Sequence, residues 1–285
     1  MSWNQKYWDA VRDFYWVPSY LGLKSIPQTK WSKAKDTVTV PRELTNPNGP
    51  LYSRIRSGDE YWSYIHRQEE TFNHIWNIGI GTLPGEVLSE LFHPLLAWAG
   101  VEQYSQFTGT VPERYPSLPE VNVTKPDCVL LSERAIIAIE LKFNAKTSVE
   151  QIAKYATVLA ADELHYRQRD RLGVLYIYPT DASKKFERET GLVIGIQKAE
   201  TLDSLSETIQ NVVVHEFVKQ HRSALRSVME RLTVACITWV DIHHRLIAYI
   251  ESLGDGKGDR TLKIILGGLA DEISRHPLSK VGQQA

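Results

Sequence analysis

The most regular pattern of apolar and polar positions in this chain is a pair of apolar runs, at residues 128–131 and 135–139, separated by the polar triplet 132–134. Two β-rich runs joined by a few turn-forming residues are typical of a hairpin. Folding the segment about Glu133 in the middle of the triplet places Asp127 opposite Ile139 and Glu140. We therefore predict an antiparallel pair of strands whose open end carries acidic side chains.

Apolar periodicities on both sides of the hairpin predict further helices and strands. Loosely helical patterns cover 59–78 and 86–100, and Pro94 is expected to kink or split the second of them. A strand is predicted at 101–107, before the hairpin. After the hairpin, a helix starts at the capping-box pattern 147–150 and runs to about 171, and a strand follows at 173–178. The last predicted elements are a helix at 212–232, a strand at 234–240, a helix at 241–253 and, after the glycine-rich loop 254–258, a helix to 274. The polar stretch 181–205 has no assigned element. This order predicts an α/β fold with a mixed central sheet flanked by helices.

The N-terminal residues differ in composition from the rest of the chain. Eight large aromatic residues occur before position 32, interleaved with lysines, and 46–50 is rich in turn-forming residues. Such aromatics either stack on the bases of a nucleic acid or pack onto a neighbouring domain, and we favour packing. We therefore divide the chain into an aromatic-rich extension, 1–60, and a main domain, 61–285.

Composition narrows the class of protein. The 285-residue chain is 42% apolar and 24% charged, as in ordinary soluble globular proteins, and it is long enough to bury a large core. Its net charge of −1 argues against a generally basic nucleic-acid-coating protein, but a local basic groove stays open. The two cysteines form no C-x-x-C pair, and the chain has neither a signal-like start nor a run of membrane-spanning length. We expect a cytoplasmic protein without disulfides.

Charged side chains interrupt the apolar pattern at the open end of the hairpin. Glu140 and Lys142 are two residues apart, so strand alternation directs both to the same face. With Asp127 on the paired strand, two carboxylates and one ammonium meet in an otherwise apolar setting. Buried charges are costly unless they are paired, and a divalent metal ion is a natural partner for two carboxylates.

These residues also carry a family resemblance. Pro126-Asp127, followed at hairpin distance by Glu-Leu-Lys at 140–142, resembles the motif of the PD-(D/E)XK (restriction-endonuclease-like) nuclease superfamily. Gln151 and Tyr155, in the helix that follows, resemble the additional Gln-x-x-x-Tyr motif of the RecB-like branch. The resemblance covers roughly residues 80–245 and implies a restriction-endonuclease-like core.

The resemblance implies a Mg²⁺ site in which Mn²⁺ is expected to substitute. Asp127 and Glu140 would ligate the ion, and the backbone carbonyl of Leu141 would complete the protein ligands. Lys142 would orient or help to deprotonate the attacking water and would offset charge on a phosphorane-like transition state. Gln151 would position a phosphate or the loop beside the metal.

The family's first core helix often supplies a further acid, and the resemblance places that helix at 86–100. Glu86 and Glu90 are four residues apart and share one helix face. Glu90 stands closer to Gly100, as the family's helix acid does to its terminal glycine. We therefore prefer Glu90, with Glu86 as the alternative, as the residue that holds a second metal ion or a metal-bound water.

Simpler structural roles compete with each assignment. Asp127 is a candidate cap at a strand start, Glu140 and Lys142 a salt-bridged strand end, Gln151 a helix cap, and Tyr155 a packing residue. Three histidines that look metal-like are interpreted as structural: His93, His243 and His244.

The resemblance implies a metal-dependent deoxyribonuclease that acts in DNA processing, repair or defence against foreign DNA. The alternatives are a catalytically inactive DNA-binding or scaffold protein with the same fold, and a different carboxylate-dependent hydrolase. DNA is the expected partner, with a second protein supplying specificity because the sequence contains no helix-turn-helix or zinc module. The sequence does not decide between endonuclease and exonuclease action or between DNA and RNA as substrate. The oligomeric state also stays open, and a homodimer is one of the alternatives.

Overall fold

The structure is a computed structural model, and the residues that it describes are 2–14, 32–34, 37–39, 69–107, 124, 126–143, 146–197, 209–210, 212–276 and 279–281. Most of the aromatic-rich extension and the predicted domain boundary at residue 60 lie outside the described residues, as does the segment 111–119, whose three prolines predict a loop. Two short strands of the extension, β1 (Ser32–Ala34) and β2 (Thr37–Thr39), form an antiparallel pair of their own.

A mixed sheet of six strands forms the centre of the described structure. In spatial order the strands are β3 (Ser105–Phe107), β4 (Cys128–Leu131), β5 (Ala135–Leu141), β6 (Arg171–Tyr178), β8 (Leu232–Thr238) and β7 (Gly195–Ile196). The first three pair antiparallel, β5, β6 and β8 run parallel, and β7 returns antiparallel to β8. The predicted α/β fold with a mixed sheet is confirmed.

Helices cover both faces of the sheet. In chain order they are α1 (Trp3–Phe14), α2 (Glu69–Gly81), α3 (Gly85–Phe92), α4 (Val149–His165), α5 (Ala182–Thr190), α6 (Val212–Gln220), α7 (Arg222–Arg231), α8 (Trp239–Ser252) and α9 (Lys257–Arg275), with a 3₁₀ turn at His93–Leu96. Among the described residues, no helix is long and apolar enough to cross a membrane.

Two apolar cores separate these helices by face. Alternate sheet residues such as Ala138 and Val174 pack under α4, α5, α6 and α7, and this side is called the first face. Their neighbours, such as Ile137 and Leu175, pack under α2, α3, α8 and α9 on the second face. Because both faces are covered, β5 and β6 have the nearly continuous apolar sequences that are typical of strands in a two-sided α/β sheet.

The hairpin predicted from the sequence is confirmed by the strand register. Cys128 pairs with Ile139 and Leu131 with Ile136, and β5 extends to Leu141. The same antiparallel register, continued by one residue, sets Asp127 opposite Glu140. Because β5 is parallel to β6, Glu140 also pairs with Tyr176. The open end of the hairpin therefore lies at the edge of the sheet where β5, β6 and β8 end.

Several element boundaries differ from the sequence prediction. The helix predicted at 86–100 is split as Pro94 suggested: α3 ends at Phe92 and the 3₁₀ turn follows. The helix predicted to reach about 171 ends at His165, because β6 already begins at Arg171. The long helix at 212–232 is two helices, α6 and α7, and the strand predicted at 234–240 begins at Leu232 and ends at Thr238.

The polar stretch 181–205 contains a helix that the sequence prediction missed. Helix α5 buries only Ala182, Phe186 and Thr190, which are spaced four residues apart on one narrow stripe. Its other positions are polar, so the apolar periodicity was too weak to identify it. The position of α5 directly after β6 brings it to the edge of the sheet where Glu140 lies.

Helix α1 packs against α9 near the other end of the chain. The indole of Trp3 donates to the carbonyl of Ile265 at 2.8 Å, and the buried Glu272 accepts hydrogen bonds from Asn4 and Trp8. Burial raises the pKa of the Glu272 carboxyl, and the two donors oppose that rise. Part of the aromatic-rich extension therefore packs on the main domain, which agrees with the interpretation that we favoured.

We expect Gly268→Ala to destabilise the protein by about 1–3 kcal/mol, the usual range for overpacking. A Cβ at this position would overlap the Trp3 indole, whereas a Cβ at Gly267 would meet no atom within 4 Å. Glycine-to-alanine changes in a helix otherwise stabilise by about 1 kcal/mol. Thermal melting of both variants checks this: Gly268→Ala should melt lower than the wild type and Gly267→Ala higher. An equal rise for both would contradict the packing of α1.

Candidate active site

The carboxylate of Glu140 lies at the centre of the candidate site. Its Oε1 accepts from the Lys142 ammonium at 2.6 Å and from the Gln151 amide at 2.7 Å, and its Oε2 accepts from the Tyr155 hydroxyl. Lys142 is the residue that strand alternation directs to the same side as Glu140, and Gln151 and Tyr155 come from α4. The structure thus brings four sequence-predicted residues into one hydrogen-bonded cluster.

This cluster is buried. Glu140 is 7% exposed and Lys142 is 5% exposed. Burial raises the pKa of the Tyr155 hydroxyl well above its usual value, and the adjacent Glu140 carboxylate adds to the rise. The same two causes, in the same order, raise the pKa of Tyr176, the neighbour of Glu140 on β6. Both hydroxyls therefore stay protonated at neutral pH, and that of Tyr155 remains a donor to the carboxylate.

The start of α4 explains why Gln151 and Tyr155 reach Glu140 together. The Ser148 side chain accepts from the backbone amide of Gln151 at 3.2 Å and caps the helix, so α4 begins at Val149, close to where the sequence pattern placed it. Residues four apart on a helix lie on one face, one turn from each other. The cap fixes where the helix starts, and the four-residue spacing then directs both side chains to the same side of the helix, toward Glu140.

Asp127 joins the two strands of the hairpin to helix α2. Its Oδ2 accepts from the backbone amide of Leu141 at 2.7 Å, and its Oδ1 accepts from the Asn73 amide at 2.6 Å. Its backbone carbonyl accepts from the Asn77 amide at 2.8 Å. The carboxylate is therefore held at the end of the hairpin beside Glu140, as the sequence predicted, by contacts that the sequence did not reveal.

Asn73 and Asn77 are the site residues that the sequence analysis missed. They lie one turn apart on α2, next to its buried face, which carries Phe72 and Trp76. Gln106 of β3 donates to Asn77 and so ties the edge strand to the same network. The available signal was a pair of asparagines four residues apart beside an apolar stripe. This pattern is weak, because the sequence does not show that Asp127 is their hydrogen-bond partner.

The two candidate helix acids lie elsewhere. Glu86 is exposed and accepts from the Gln103 amide at 2.5 Å. Glu90 lines a groove along α8 beside Tyr249, whose pKa is raised to about 12 by burial and by the Glu90 carboxylate. Both residues lie on α3, on the second face of the sheet, whereas the Glu140 side chain contacts α4 on the first face. The hydrogen-bond partners of Glu140 are Lys142, Gln151 and Tyr155, so the role of either acid in the site stays a prediction.

Other candidate groups have structural contacts. The His93 ring nitrogens contact the Ser89 hydroxyl, the Gly100 carbonyl and the Tyr104 hydroxyl, and burial lowers the pKa of His93, which keeps the ring neutral. Burial raises the pKa of Cys128 to about 12, so its thiol is no nucleophile at neutral pH.

Asp241, which precedes His243 and His244 on α8, has a structural role. Asp241 accepts from the backbone amide of Thr238 at 2.9 Å and, with the Thr238 hydroxyl, forms the capping box of α8. His244 lines the groove that holds Glu90. Asp241 is therefore occupied in starting the helix.

The donor set at the hairpin end is compatible with Mg²⁺. Among the described residues, no three His, Cys, Asp or Glu side chains converge as metal ligands. Mg²⁺ does not require three, because it keeps several waters and usually takes one or two carboxylates from the protein. Two buried oxygens near the carboxylates, Asn73 Oδ1 and the Tyr176 hydroxyl, have no hydrogen-bond partner among the described residues. Hard oxygen donors and unsatisfied buried oxygens together fit a hydrated divalent cation.

Comparison with known proteins adds no relative to this picture. No protein-family model, no curated protein and no solved structure matches the chain. The function of the site must therefore be argued from its own residues and their geometry.

Proposed function

We propose that this protein is a Mg²⁺-dependent nuclease of the PD-(D/E)XK type that hydrolyses phosphodiester bonds in DNA. The observation that carries the proposal is the convergence on one buried carboxylate. Glu140 is contacted by Lys142 from its own strand and by Gln151 and Tyr155 from the next helix, with Asp127 opposite in the register. A salt bridge alone would need only two of these residues.

Asp127 and Glu140, with the Leu141 carbonyl, would hold the ion. When bound, Mg²⁺ supplies neutralisation of the phosphate charge and a water of lowered pKa. Lys142 places a positive charge within hydrogen-bonding distance of the Glu140 carboxylate, where it would orient the attacking water and offset negative charge that develops on the phosphate.

Gln151 and Tyr155 would position the carboxylate that binds the ion. Both donate hydrogen bonds to Glu140, and Tyr155 is fully buried, so the carboxylate is held in one orientation. Residues that hydrogen-bond to a metal ligand orient it and tune its basicity. Gln151 is the more exposed of the two and would also contact a phosphate of the substrate.

Basic side chains at the same edge of the sheet favour a polyanionic substrate. Helix α5 follows β6 and carries three basic residues, Lys184, Lys185 and Arg188, against two acidic ones, Glu187 and Glu189. The ammonium of Lys185 lies 5.1 Å from the ring centroid of Tyr178, the last residue of β6. A net charge near zero does not prevent DNA binding, because the local potential steers a polyanion to its site.

The proposal is tested by incubating the purified full chain with linear, supercoiled and branched DNA in Mg²⁺, Mn²⁺, Ca²⁺ or EDTA. We expect cleavage in Mg²⁺ and Mn²⁺, none in EDTA, and a loss of at least about 100-fold in Asp127→Ala, the scale on which single groups act in such sites. Glu90→Gln should cleave like the wild type, because the Glu90 side chain contacts Tyr249 in the groove along α8 and not the cluster around Glu140.

Two outcomes would contradict the proposal. Equal cleavage by the wild type and Asp127→Ala would mean that the activity does not come from this site. Binding to DNA without cleavage under any condition would instead support an inactive DNA-binding or scaffold protein. The direct ion pair between Glu140 and Lys142 favours this second candidate to some degree, since it satisfies the carboxylate without a metal ion.

A further inference from the structure

We propose that Asn73 supplies an amide-oxygen ligand to the divalent cation, so that α2 rather than α3 contributes the helix residue of the metal site. This inference rests on the proposed function, since it concerns the ion held by Asp127 and Glu140. It departs from the sequence expectation, which assigned the helix residue to Glu90 or Glu86.

Asn73 is the side chain of α2 that reaches the Asp127 carboxylate. Its Nδ2 donates to Asp127 Oδ1 at 2.6 Å. The amide oxygen is bonded to the same carbon as this nitrogen, so it too lies within a few ångströms of the carboxylate. The two acids of α3 have other partners: Glu86 accepts from Gln103, and Glu90 contacts Tyr249 of α8.

The Asn73 oxygen is buried and has no hydrogen-bond partner among the described residues. Buried polar atoms in native proteins are nearly always paired, so an unpaired one calls for a specific explanation such as a bound ion or water. Beside a carboxylate, a cation explains it better than a hydrogen-bond donor does. An amide carbonyl oxygen is a hard ligand that both Mg²⁺ and Ca²⁺ accept.

Asn77 keeps Asn73 at a fixed distance from Asp127. Its Nδ2 donates to the backbone carbonyl of Asn73 at 2.7 Å and to that of Asp127 at 2.8 Å. One amide group thus connects the backbone of both proposed ligands. Metal sites need ligands that are held in place before the ion arrives, and this clamp provides such support.

The ligand type sets the charge of the site. Asp127 and Glu140 contribute two negative charges and Lys142 one positive charge. A carboxylate at position 73 would increase the negative charge, whereas the asparagine leaves it unchanged. We therefore infer that the site binds its cation more weakly than the same site with a third acid would, since ligand charge raises affinity for hard cations.

The inference is tested by titrating the full-length protein with Mn²⁺ alone, followed by calorimetry and by the electron paramagnetic resonance signal of the free ion. We expect Asn73→Leu to weaken Mn²⁺ binding by about 10-fold or more, the scale on which groups at a metal site act. Asn73→Asp should tighten binding, and Glu90→Gln should leave it unchanged.

Thermal melting with and without Mn²⁺ supplies a second measurement. Asn73→Asp places a second carboxylate against Asp127, so the metal-free protein should melt below the wild type and gain more from Mn²⁺ than the wild type does. This variant keeps the inference testable if Asn73→Leu fails to fold.

The outcomes separate this inference from the proposed function. A wild-type protein that binds no Mn²⁺ would overturn both. Wild-type binding with the same affinity in Asn73→Leu, or with no gain in Asn73→Asp, would overturn the role of Asn73 and leave the metal site at Asp127 and Glu140 intact. Weakened binding in Glu90→Gln would return the ligand role to α3.

Discussion

Replacing Lys142 by methionine is expected to lower the rate of Mg²⁺-dependent DNA cleavage by about 10²- to 10⁴-fold, the range attributed to a positioned proton-transfer or charge-stabilising group. The change removes the ammonium 2.6 Å from Glu140 and keeps most of the side-chain volume. Glu140 retains hydrogen bonds from Gln151 and Tyr155, which hold the carboxylate in place. Removing one partner of this buried ion pair also destabilises the protein by about 3–5 kcal/mol, so the rate is measured per folded molecule. Single-turnover cleavage of a labelled DNA measures the effect.

Cation binding should behave differently from cleavage in this variant. The ammonium competes with a metal ion for the Glu140 carboxylate, so Lys142→Met should bind Mn²⁺ at least as tightly as the wild type. Lys263→Met is the matched control, because Lys263 lies on α9 and pairs with the exposed Asp255. It should leave both cleavage and binding unchanged. A loss of Mn²⁺ binding in Lys142→Met would show that the lysine acts on the fold of the site rather than on the reaction.

The second large effect is expected for Glu140→Gln, which should abolish both cation binding and cleavage. The same change should destabilise the protein by about 3–5 kcal/mol, because it removes one partner of a buried ion pair. The three partners of Glu140 are all donors: Lys142, Gln151 and Tyr155. A glutamine offers a single acceptor oxygen and turns its own amide nitrogen toward these donors, and it leaves the Lys142 charge buried without a counter-ion. Chemical denaturation and Mn²⁺ titration measure the two effects.

Glu163→Gln separates stability from function. The Glu163 carboxylate pairs with Arg231 at 2.6 Å and is mostly buried, but it lies near the end of α4, away from Glu140. This variant should lose stability and retain Mn²⁺ binding and cleavage per folded molecule. If Glu163→Gln loses cleavage as completely as Glu140→Gln, the effect at Glu140 reflects unfolding and not the loss of a ligand.

The hairpin could be predicted from the sequence because its information is local. Strand alternation places Glu140 and Lys142 on one face, and the short triplet at 132–134 sets the register that brings Asp127 opposite Glu140. The following helix could be predicted too, since the capping-box pattern at 147–150 marks its start and a four-residue spacing fixes which side chains share a face. Each of these relations spans fewer than about 20 residues, well within one supersecondary motif.

The remaining parts of the site depend on which helix packs where. Sequence periodicity cannot tell whether α2 or α3 lies beside Asp127, because both carry apolar stripes that fit the second face. The family resemblance, with the distance from Glu90 to Gly100, favoured α3. The asparagines of α2 gave no comparable signal. Their role becomes visible only when Asp127, which is 54 residues from Asn73 in the chain, is seen to accept a hydrogen bond from it.

The sequence by itself determined the α/β class, the mixed sheet, the hairpin and the shared side of Glu140 and Lys142, because alternation and helical spacing are properties of short segments. The link of Gln151 and Tyr155 to the site came from the family resemblance, and their hydrogen bonds to Glu140 came from the structure. Only the tertiary structure decided that Asn73 of α2 contacts Asp127 and that Glu90 of α3 contacts Tyr249. The physical reason is that the position of each helix depends on how its whole apolar face fits one of the two cores. That fit depends on contacts between residues far apart in the chain, which a local sequence pattern does not specify.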